Sequence, residues 1–141
     1  MPINYWAVLL CGVLSMVIGA IWYGPLFGRK WMEIVGANPD DIEARKKMQK
    51  SAGPLYVVQF LLTLFQVWVL DYVILAAGAW QVNSGIIISL WVWAAFVMPI
   101  IAGTAMWNND SAKISWARFQ HQAGYQLVIF VMFGSILSLW R

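Results

Sequence analysis

Four long stretches of the chain are apolar at nearly every position, and the charged residues collect between them. The first runs from about Tyr5 to Tyr23 with no charge, and the second from about Leu55 to Ala79, interrupted only by Asp71. The third, about Gly85 to Trp107, and the fourth, about Ala123 to Trp140, are uncharged throughout. A helix needs about 20 largely apolar residues to cross a hydrocarbon core about 30 Å thick. Barrel strands alternate with period two, whereas these runs are continuous, so they predict helices. Each helix satisfies its own backbone amides, as lipid requires. The pattern therefore predicts an all-α fold: an integral membrane four-helix bundle forming a single domain over residues 1–141.

Between the first two runs, Asn38, Pro39, Asp40 and Asp41 read as a helix start, with a cap, a first-position proline and early acids. Lys46, Lys47 and Lys50 fall late in that helix, and Gly53 with Pro54 closes it before the second span. Its apolar residues are few, Ile42 and Met48 foremost, which predicts a short helix on the cytoplasmic membrane surface. Eight of the nine basic residues lie in or beside the loops after spans one and three, against Arg141 alone on the other side. By the positive-inside rule, those loops face the cytoplasm and both termini lie outside. Arg29 and Lys30 follow the first span rather than precede it, which reads as a retained helix and not a secretory signal.

Composition narrows the class. With 62% hydrophobic and 11% charged residues, the chain has too few polar side chains to cover a soluble domain. The same numbers exclude a disordered segment, and the single Cys11 excludes an intrachain disulfide and any CxxC site. A net charge of +3 is read as basic loops meeting anionic lipid head groups, not nucleic acid, because no nucleic-acid motif accompanies it.

Candidate chemistry is sparse. Trp6, Trp31, Trp80, Trp107, Trp116 and Trp140 fall near span ends and read as interfacial anchors. Trp91 and Trp93 lie inside span three, about 200° apart on a helix, so one is expected to face a neighbour and the other lipid. Cys11, Gly12, Ser15 and Gly19 in span one, and Gly134 and Ser138 in span four, are small residues that let helices approach closely. Tyr56, Gln59, Thr63 and Gln66 recur at intervals of three, four and three, making one polar face that must point into the bundle or at another subunit. Asp71, the one acid inside a span, is a functional candidate. It sits near the outer end where water reaches, away from the Gln59–Thr63–Gln66 face, with Tyr5, Tyr72 or the amino terminus as candidate partners. His121, between Gln120 and Gln122, is read as solvated at the cytoplasmic start of span four, with a proton-shuttle or axial-ligand role as the alternative. No phosphate loop, HExxH or GxSxG is present, and no metal or cofactor site is expected.

Spans one and three share an echo, Ala20-x-Trp22-x-x-Pro25-x-x-Gly28 against Ala94-x-Phe96-x-x-Pro99-x-x-Ala102. Pro25 is expected to end span one, and Pro99 to kink span three and free a carbonyl. The run Gly19-Ala20-Ile21-Trp22-Tyr23-Gly24-Pro25-Leu26-Phe27-Gly28, followed by Trp31-Met32, resembles the signature of the bacterial membrane family called domain of unknown function 1761. Asn4-Tyr5, Phe96, Pro99, Ala123-Gly124-Tyr125, Gly134 and Leu137 extend the similarity over the whole chain. The chain departs from that family at Asn108-Asn109-Asp110, in place of a Phe-Glu-Gly-like turn. The resemblance implies a four-helix protein of the bacterial inner membrane with no settled activity.

The residues favour a non-catalytic assembly or accessory subunit that packs with itself or with a larger membrane complex. The competing reading is a small oligomeric transporter, channel or ligand-binding sensor using the span-two face, Trp91 or Trp93, Asp71 and His121. An enzyme comes third, because nothing assembles a nucleophile, a base and an orienting group.

Overall fold

The computed structural model describes residues 3–36, 38 and 40–140. Pro39 and Arg141, which entered the expected helix start and the charge count, lie outside them. In chain order come α1 (Tyr5–Ile21), a π-helical turn (Trp22–Leu26), the short α2 (Gly28–Ile34) and the long α3 (Ile42–Ala76). Next come α4 (Val82–Val92), a second π-helical turn (Trp93–Val97), α5 (Met98–Met106) and α6 (Ala112–Leu139). Four stretches are long and apolar enough to cross a bilayer: Tyr5–Leu26, Ile42–Ala76, Val82–Met106 and Ala112–Leu139. They are spans one to four.

Asn4 caps α1, its side-chain oxygen accepting from the Trp6 and Ala7 amides. Its side-chain amide donates to the Trp140 carbonyl at 3.1 Å, which places the start of span one beside the end of span four. That end of the bundle is the terminal end; the opposite one carries the basic loops.

The separate surface helix expected before span two is not separate. Asn38 bonds the Asp40 amide in a local turn, and Asp41 is the cap, accepting from Ala44 N at 3.0 Å. From there α3 runs for 35 residues straight through Gly53 and Pro54. Pro54 removes one bond to the Lys50 carbonyl, but that carbonyl lies before the apolar run, where water replaces the missing donor. The short helix between spans one and two is instead Gly28–Ile34. At its far end α3 stops in a Schellman motif: Gly78 takes φ +67°, Ala79 N bonds Ile74 O and Gly78 N bonds Leu75 O.

Span four is the hub. It packs along span three over its whole length, touches α1 and α2, and meets α3 more sparsely. Span three crosses it through small residues on both sides. The Gly85 and Gly134 backbones meet, Ser89 and Ser138 fill the flanks, and Ser89 Oγ bonds back to Gly85 O at 2.9 Å. Toward the terminal end the interior is apolar, built from Ala7, Val8 and Cys11 of α1, Val67, Leu70 and Ile74 of α3, and Ile129, Phe130, Phe133 and Leu137 of α6. Side chains facing outward are apolar too, as the hydrocarbon of a bilayer demands.

Both prolines act through π-helical turns. Phe27 N bonds Trp22 O, and Met98 N bonds Trp93 O, each five residues back instead of four. Pro25 lies inside the first turn and Pro99 just past the second. A proline cannot donate to the carbonyl four residues back and crowds it, and one extra residue in the turn relieves both defects. Span three is therefore interrupted just before Pro99, and span one ends at Leu26.

Candidate functional site

At the basic-loop end the apolar interior gives way to rings. The first π-helical turn folds α2 back against α6 and gathers Trp22, Tyr23, Phe27 and Trp31 around His121 and Tyr125 of α6. Ring centroids lie 4.8 Å apart for Trp22–Phe27, 4.9 Å for Tyr23–Trp31 and 5.6 Å for Tyr23–Tyr125. Phe27 stands edge-on to the His121 ring at 5.4 Å, and Trp31 lies 6.3 Å from it. Gly28 makes the fold-back feasible, because a Cβ there would sit 2.6 Å from the Tyr23 carbonyl oxygen.

Polar atoms in this cluster bond to backbone. Tyr125 OH donates to the Ser15 carbonyl at 2.6 Å, tying span four to span one. A Tyr125→Phe variant is expected to lose about 1 kcal/mol, the usual net value of one hydrogen bond, read as an earlier midpoint in detergent denaturation. Trp22 Nε1 donates to the His121 carbonyl at 3.1 Å, and Trp93 Nε1 to the Ala123 carbonyl at 3.2 Å. Each tryptophan opens a π-helical turn, and their acceptors, two residues apart, point about 200° apart around α6. Two indoles thus grip span four from opposite sides. The sequence echo placed Phe96 opposite Trp22; in the structure Trp93 takes that part and Phe96 is exposed. Trp93 is the inward tryptophan of span three, and Trp91 faces out.

His121, expected to be solvated, is only 8% exposed. Its Nδ1 lies 2.8 Å from the Ala117 carbonyl, which only accepts, so Nδ1 carries a proton. Nε2 is buried with no hydrogen-bond partner among the described residues. An unpaired buried acceptor costs about 1–3 kcal/mol. The sequence gives no local sign of this burial, since Trp22, Phe27 and Trp31 reach His121 from about 90 residues away in the chain.

The remaining candidates lie elsewhere. Cys11, Gly12 and Ser15 are buried within the chain. A Cβ on Gly12 would meet Leu64 of α3, and one on Gly19 would meet Tyr125, so this seam joins spans of one subunit. Asp71 is 1% exposed, contrary to the expectation that water reaches it. It belongs to the buried face of α3 with Thr63, Val67, Leu70 and Ile74, because α1, α4 and α6 close over that end of the helix. Tyr5 and Tyr72, its suggested partners, both point outward, and the amino terminus lies outside the described residues.

The span-two polar face does not point into the bundle. Only Thr63 is buried; Tyr56 and Gln59 are exposed and Gln66 half-buried, and all the buried residues of α3 lie at or beyond Thr63. Gln59 donates to Thr63 Oγ1 at 3.2 Å, and Thr63 donates back to the Gln59 carbonyl at 2.8 Å. The amide oxygen of Gln59 and the whole amide of Gln66 have no hydrogen bond among the described residues. Around them Leu55, Val57, Val58, Leu61, Leu62 and Phe65 are all exposed, leaving the helix open on nearly every side.

A family model described as a protein of unknown function, DUF1761, matches residues 6–138. No curated protein and no solved structure matches the chain.

Proposed function

We propose, for a chain that belongs to the DUF1761 family, that it is a non-catalytic membrane module assembling with a second copy of itself along span two. One observation carries the reading: Gln66 sits midway between Leu55 and Ala76 with its amide unbonded among the described residues. At that depth no water offers a partner, and a polar group in hydrocarbon without one is costly. An amide both donates and accepts, so the same residue on a two-fold mate satisfies it. Gln59 lies nearly two turns away on the same side and extends the seam, with Leu62 between them. In this reading the basic loops face the cytoplasm of a bacterial inner membrane, where Arg45, Lys46, Lys47 and Lys50 meet anionic lipid.

With Cys11 replaced by Ala, oxidation of a Leu62→Cys variant in membranes is expected to give a disulfide-linked dimer, while Trp91→Cys on span three stays monomeric. The Gln59→Leu, Gln66→Leu pair should raise the dimer dissociation constant, read by native mass spectra across a dilution series, at least about tenfold, from two interhelical bonds of about 0.6–1.7 kcal/mol each. A monomer throughout, or a different co-purifying subunit in place of the second copy, would overturn the reading.

A further inference from the structure

Independently of self-assembly, the geometry points to the His121 cluster as a binding site for a membrane-soluble aromatic alcohol, a phenol or hydroquinone, whose hydroxyl donates to Nε2. With Nδ1 donating to the Ala117 carbonyl, the Nδ1–H tautomer presents a lone pair at Nε2. That atom is buried and unpaired among the described residues, so the missing partner is a donor. Among the described residues no three His, Cys, Asp or Glu side chains come together, so the lone pair is read as a hydrogen-bond acceptor and not as one of several metal ligands.

The walls select the rest of the ligand. Phe27 and Trp31 flank the imidazole, and Trp22, Tyr23 and Tyr125 continue the cluster. Flat apolar rings of this kind suit a planar ring, which stacks or packs edge-on between them. Depth selects a membrane-soluble molecule: His121 sits two residues before the apolar run that begins at Ala123, so a tail lies in lipid while the hydroxyl stays at the boundary.

Access lies through α2. This helix packs on the π-helical turn and on α6, and Phe27 is the residue joining it to the turn. Gly24 within the turn has left helical geometry, at φ −111° and ψ −107°, and nothing lies within 4 Å of where its Cβ would be. A rotation at Gly24 is the opening that this proposal requires, because it would carry Phe27 and Trp31 away from Nε2.

His121 is the sole histidine, so isotopically labelled histidine gives one Nδ1 and one Nε2 resonance. The probe is a decyl-substituted hydroquinone, kept reduced, added to the protein in bicelles, with its dimethyl ether as the control that lacks a donor. The free protein should show Nε2 unprotonated and Nδ1 protonated. The hydroquinone should move Nε2 to lower frequency in a saturable way and leave Nδ1 in place, and the ether should not. Phe27→Leu and Trp31→Leu, which retain the histidine, should each weaken binding at least about threefold. An Nε2-protonated ring in the free protein, no saturable shift, or an equal shift with the ether would each overturn the proposal.

Discussion

A Gly85→Leu variant is expected to separate spans three and four and to be the most damaging single substitution in the bundle. Any Cβ at Gly85 overlaps Ser138 Oγ and lies 2.8 Å from the Gly134 carbonyl oxygen. From the other side, a Cβ at Gly134 would lie 2.7 Å from the Gly85 carbonyl oxygen and 2.5 Å from Ser89 Oγ. The serine hydroxyls can turn aside, but the two carbonyl oxygens are backbone, so rotamer changes alone do not relieve the clash and the helices must move apart. Overpacking typically costs about 1–3 kcal/mol. Here the variant also gives up the close contact that holds span four, because lipid tails provide no hydrophobic force to drive the helices back together. A cost of about 3 kcal/mol or more is expected, read as a lower melting point in detergent and a broadened size-exclusion peak. Gly103→Ala is the matched control, with open space around its Cβ, and should leave both unchanged.

Phe133→Ala should come second, at about 2 kcal/mol. Phe133 is fully buried, with the Phe130 ring 5.5 Å away, in the part of the core shared by α1, α3 and α6. In a water-soluble protein such a truncation costs about 3–5 kcal/mol, the sum of lost transfer energy and the cavity left behind. In a bilayer the unpacked side chain rests in lipid instead of water, so most of the transfer part vanishes and the cavity part remains. Titration with a denaturing detergent measures the difference. A midpoint equal to that of the unaltered protein would show that the neighbouring helices close over the void.

The four spans were legible because a bilayer imposes length and continuity on each one separately, and neither depends on tertiary context. Pro25 and Pro99 likewise announced interruptions, since a missing donor is a local property. What escaped was whatever depends on two distant segments meeting. Gly134 and Ser138 stood out by spacing, but their partners Gly85 and Ser89 carry the same four-residue interval and were not singled out. The echo between spans one and three aligns Phe96 with Trp22, whereas the structure gives the inward indole to Trp93, and Pro25 lies inside its π-helical turn while Pro99 lies past its own. Gly53-Pro54 looked like a helix end because propensity counts the lost bond without asking whether water replaces it. His121 looked solvated because its immediate neighbours are glutamines, while the rings that bury it arrive from α2 and the end of span one.

The central place of span four has a temporal consequence. A membrane chain is made from its amino end, so the three earlier spans enter the bilayer while their common partner is still inside the ribosome. During that interval the Trp22 and Trp93 indoles lack their carbonyl acceptors, and Gly85 has no backbone to lie against. Packing around span four therefore waits for the 28 residues of α6 to emerge. In a nascent chain stalled before Ala112, α1 still has α3 to pack against, but the polar groups meant for span four are open to any neighbour in the membrane.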